Sequence, residues 1–90
     1  MYDYQRERPY VFTERGQVQF LSIRDRVNRL LEEAGAVRLS EVIRHETGDS
    51  WEMLACVDRL VELREIIELK YPEKILSATQ FRVFVKGVRR

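Results

Sequence analysis

The spacing of apolar residues shifts from one period to another along this chain, and the shift separates two kinds of structure. Between Phe20 and about residue 63 apolar side chains recur every three or four positions, the period of a helix; beyond residue 65 they recur every two, the period of a strand. Phe20, Ile23, Val27, Leu30, Leu31 and Ala34 form the clearest stripe and predict a helix. Ser22, with Asp25 three places on, is expected to cap its start, and Gly35 supplies the residue that takes a positive φ just past its end. The opposite face, Arg24, Asp25, Asn28, Arg29, Glu32 and Glu33, is solvated. Val37-Arg38-Leu39 reads as an extended connector too short for a full strand. A second helix follows, capped by Ser40, with Glu41 at the positive end of its dipole and Val42 and Ile43 turned inward; Thr47-Gly48 stops it. Asp49, with Glu52 three places on, opens a third helix, expected to run to about Leu63 and to bury Met53, Cys56, Val57 and Leu60. Ile66–Lys70 and Phe81–Lys86 read as strands, the second with Phe81, Val83 and Val85 on one side, joined by a long hairpin loop over Tyr71–Gln80.

Ninety residues suffice for one core, so the expected organisation is a single domain over 17–88 preceded by an N-terminal arm over 1–16. The arm carries Tyr2, Tyr4, Tyr10 and Phe12 without a helical period. It reads as a loose terminus with aromatics laid on the body, or as a strand near Val11 and Phe12 that completes a dimer. The net charge of +1 points to no partner class, but its distribution is uneven: residues 45–70 hold three cations against seven carboxylates, and residues 71–90 hold five cations against one. The single cysteine, Cys56, has no second thiol for a disulfide or a metal, and its acidic surroundings argue against a nucleophile paired with His45. With no phosphate loop either, no enzyme, cofactor or metal site is expected. The first residues lack the apolar run of a signal peptide or span, so a cytoplasmic setting without membrane contact is expected.

Helix, extended link, helix, tight turn, helix and hairpin is the order of a winged helix. The stretch from Leu39 to Ile66, with its Arg59-Leu60-Val61-Glu62-Leu63 segment, resembles the helix-turn-helix of bacterial winged-helix regulators, and Phe81–Gly87 looks like their wing. The implied fold is α+β, mainly α: three helices and a two-stranded wing. Related sequences commonly have glycine where this chain has Arg64, so either that turn is strained or the helix ends differently.

The resemblance implies a transcriptional regulator that binds double-stranded DNA, as a homodimer, through its third helix and wing. Carried over, the exposed side of that helix presents Ser50, Trp51, Glu52, Ala55 and Arg59. Ser50 and Arg59 are the base readers, with Lys74, Arg82, Lys86, Arg89 and Arg90 on phosphates and Arg6 and Arg8 at the opposite terminus. Glu52 and Asp58 oppose phosphate, which opens the alternative of a protein-interaction module. Trp51, Leu54, Ala55 and Val61 would form its apolar contact, ringed by Glu52, Asp58 and Glu62.

Overall fold

The structure, a computed structural model, describes residues 1–44, 46–69 and 82–87. Among them the chain is α+β and mainly helical, with four α-helices and one three-stranded antiparallel sheet. Helix α1 is Tyr4–Glu7, followed by a 3-10 turn over Arg8–Phe12; α2 is Glu14–Ala34, β1 Ala36–Arg38, α3 Leu39–Ile43, α4 Ser50–Glu62, β2 Ile66–Leu69 and β3 Val83–Lys86.

Helix α2 starts eight residues before the cap expected at Ser22. Thr13 is its N-cap, the hydroxyl accepting from the Gly16 amide at 3.0 Å while it donates to the Tyr10 carbonyl at 2.7 Å. The added turns bury Gly16 beneath the 3-10 turn, so they form through a contact that no periodicity signals. At the far end Gly35 takes φ 77° and its amide closes on Leu31. Phe20, Ile23, Val27 and Leu31 are buried as expected, while Ala34 is exposed.

The connector after α2 is a strand after all. Three residues are too few for alternation to register, but β1 pairs with β3, Val37 opposite Phe84, and Leu39 extends the ladder by donating to the Arg82 carbonyl at 2.8 Å. The sheet order is β1-β3-β2, with β3 central. Its inner face, Val37, Ile66 and Phe84, closes the core against α2 and α4, leaving Ile67 and Leu69 on the outer side. Helix α3 begins at Leu39, one residue ahead of Ser40, the Arg38 amide donating to Glu41 at 3.4 Å. The turn toward α4 is tied to α2 by Arg26, whose guanidinium donates to the Val42 carbonyl at 3.0 Å and meets Glu46 at 3.3 Å.

Asp49 caps α4 as expected, accepting from the amides of Trp51 and Glu52 at 2.7 and 3.4 Å, whereas the Glu52 carboxylate turns instead to Arg15 at 3.5 Å. The helix ends in a Schellman motif: Arg64 donates to the Val61 carbonyl and Glu65 to the Leu60 carbonyl, each at 3.0 Å. Arg64 sits at φ 62°, so the turn is left-handed and carries the strain of a side chain there. Arg64→Gly is expected to stabilise the protein by about 0.5–1 kcal/mol, because relief of that strain exceeds the entropy glycine adds to the unfolded chain. A thermal melt checks it: Tm rises by roughly 2–8 °C, and an unchanged or lower Tm would contradict the assignment of strain.

Candidate functional site

Both readings of the sequence place function on α4, where Trp51, Ala55, Asp58 and Glu62 follow one another at steps of four, three and four and so share one face. The N-terminal arm lies across that face. In place of a strand near Val11, it forms α1 and the 3-10 turn, both packed on α4. The Tyr2 hydroxyl donates to Asp58 Oδ2 at 2.7 Å, and its ring meets Trp51 edge to face with centroids 6.4 Å apart. One turn along, Glu62 takes the Tyr4 hydroxyl at 2.6 Å and Arg8 Nε at 3.0 and 3.1 Å. Ala55, expected on the exposed side, is 0% exposed, the small floor over which the arm passes.

These contacts set the electrostatics of the face. Hydrogen bonds from Tyr4, then Arg59, then Arg8, hold the Glu62 carboxyl down at about 2. Burial and the bond to Glu62 push Tyr4 up to about 12; burial and the Asp58 carboxylate push Tyr2 up as well. Near neutral pH both hydroxyls therefore keep the proton they donate.

The candidate DNA contacts fare unevenly. Arg59 Nη1 is 2.8 Å from Glu62 Oε1, and its guanidinium lies 5.0 Å from the centre of the Phe12 ring, as does that of Arg8. Arg82, expected on phosphates, is part of the fold. Its Nη2 stands 2.7 Å from Asp58 and 2.8 Å from Glu68, with its guanidinium 5.2 Å from the Phe84 ring centre. Burial works against its charge, but the bonds to Glu68 and Asp58 outweigh burial and hold it protonated above the ordinary arginine range. Ser50 and Lys86 are exposed, at the first turn of α4 and the end of β3. Lys74, Arg89 and Arg90 lie outside the described residues, as do His45, Phe81 and the hairpin loop.

Of the candidate interface residues, Trp51 is 37% exposed, Leu54 is buried with Ala55, and Val61 is half-buried against the core. Sequence reasoning missed that Tyr2, Tyr4, Arg8 and Phe12 pair with Trp51, Asp58, Glu62 and Arg59 of α4. The signal was present as hydroxyl and guanidinium donors concentrated at one terminus and carboxylates along α4, but nothing in the order of residues linked segments more than fifty positions apart.

Cys56 is fully buried, and its thiol is pushed up to about 12 by burial, with Glu46 and Glu52 adding repulsion. Native protein is therefore expected to react with a thiol reagent at neutral pH on the order of a hundredfold more slowly than urea-unfolded protein. Equal rates would place Cys56 at the surface. Among the described residues no cluster of His, Cys, Asp and Glu is arranged to hold a metal ion, and no helix is long and apolar enough to cross a membrane. Comparison with protein-family models, curated proteins and solved structures finds no match to this chain.

Proposed function

We propose that this chain is a winged-helix protein-interaction module rather than a reader of DNA. The winged-helix part of the reading draws on the element order α2, β1, α3, α4, β2, β3, with a left-handed turn at Arg64 that closes α4. The observation that carries the interaction reading is that polypeptide already occupies the side of α4 that a DNA reader must leave open. A helix enters the major groove only with a slim, hydrogen-bonding side free of other structure. Here that side is floored by a buried alanine, crossed by residues 2–12, and edged by Asp58 and Glu62, which repel phosphate. Arg59 and Arg82 are already bound to carboxylates, and freeing them for DNA forfeits those bonds. An aromatic residue beside a charged rim is instead the composition of a protein contact. Ile67 and Leu69, 42% and 44% exposed on the outer side of β2, add apolar surface of the same kind.

The test is a fluorescence titration against random duplex DNA at low and at physiological salt. The expected result is no saturable binding at either. An affinity that is strong at low salt and falls steeply as salt rises is the signature of phosphate neutralisation and would return the chain to the DNA-binding regulators.

A further inference from the structure

We infer that the strip Trp51, Asp58, Glu62 on α4 is a docking site for short segments that present tyrosine hydroxyls and an arginine, with residues 1–8 as its built-in, displaceable occupant. The inference rests on the interaction reading above and names the class of partner.

The arm is anchored unequally along its length. Its inner half is part of the core: Val11 is 0% exposed, Tyr10 donates to Gln19 Oε1 at 2.7 Å, and the backbone at Tyr10 and Val11 presses directly on Gly16. The outer half buries nothing completely. Helix α1 has four residues and none of them is buried, and a helix that short does not persist without tertiary support. That support is side-chain hydrogen bonding at the rim of α4 with partial burial of Tyr2 and Tyr4, the kind of attachment that opens locally far more often than the protein unfolds.

The contacts also define what the strip recognises. Every hydrogen bond between residues 1–8 and α4 has its donor on the arm and its acceptor on the helix: Tyr2 to Asp58, Tyr4 to Glu62 and Arg8 to Glu62. Lifting residues 1–8 leaves Asp58 paired with Arg82 and Glu62 paired with Arg59, so the strip keeps its shape while regaining acceptor capacity for two hydroxyls and a guanidinium. Trp51, against which the Tyr2 ring stands, supplies the aromatic wall. A segment of another protein with two tyrosines and an arginine at similar spacing satisfies the same acceptors. Acidic segments meet Asp58 and Glu62 with like charge and are rejected.

The test uses the chain over residues 1–90 and a fluorescent peptide with the sequence of residues 1–8. The tethered arm competes at a high effective concentration, so the peptide is expected to bind the Tyr2→Phe/Tyr4→Phe variant at least about tenfold more tightly than the unsubstituted chain. A control peptide with both tyrosines replaced by phenylalanine and Arg8→Ala is expected not to bind. Hydrogen exchange on the unsubstituted protein needs no variant, and the amides of residues 5–8 should exchange on the order of a hundredfold faster than those in the middle of α2. Equal protection of the two regions, or no peptide binding to the double variant at millimolar concentration, overturns the proposal. Concentration-dependent dimerisation that the double variant loses also overturns it, in favour of arms exchanged between two copies. If the peptide fails while the duplex titration stays blank, only this site is removed; duplex binding removes the interaction reading itself.

Discussion

Gly16→Ala is expected to destabilise the protein by about 3 kcal/mol and to lower its Tm by roughly 10–25 °C. Taken locally, the change should help, since alanine inside a helix is better than glycine by about 0.5–1 kcal/mol. What reverses the sign is the arm. A Cβ at position 16 overlaps the Tyr10 carbonyl oxygen and falls 2.9 Å from Val11 Cα, and both obstacles are backbone, which no rotamer change moves aside. The 3-10 turn must lift. Val11 then loses its complete burial, a loss of about 1.5–3 kcal/mol, and the Tyr10 bond to Gln19 and the Thr13 cap contribute about 1 kcal/mol each. The losses outweigh the propensity gain severalfold. Thermal melts of the two proteins decide it: a Tm within 3 °C of the unsubstituted chain would mean that the arm does not close on α2 as described.

The second large effect is expected at Arg82. Arg82→Met keeps much of the apolar stem over Phe84 but removes the cation shared by Asp58 and Glu68, whose side chains retain only 14% and 18% exposure. Removing one member of a buried charge cluster costs about 3–5 kcal/mol; the residual exposure places this case near 3 kcal/mol. The deficit arises because Asp58 and Glu68 lose the cation that stands between them. Urea denaturation of the two proteins at about pH 7 is the measurement. A deficit below about 1 kcal/mol would show that Arg82 is a solvated surface cation, as a phosphate contact requires.

The two substitutions mark where the residue pattern was and was not enough. Asp49 as the cap of α4, Gly35 as the end of α2 and the strands at 66–69 and 83–86 were legible, because each depends on neighbours within a few positions. The first two turns of α2 were not, since Glu14-Arg15-Gly16-Gln17 offers no apolar stripe and glycine reads as a breaker. It is present there because backbone crosses at that point. The same holds for Arg82, which reads as a basic wing residue until Asp58 and Glu68 are found beside it.

Short-range physics, then, was fixed by the residues alone: the change of period from helix to strand, the Asp49 cap, the Gly35 stop and the excess of acid along α4. Which charges neutralise which, and that Tyr4 and Glu62 meet across 58 positions of chain, was decided only in three dimensions. Hydrogen bonds and ion pairs depend on separations of about 3 Å, and for residues far apart in the chain those separations are set by how the core packs rather than by their order.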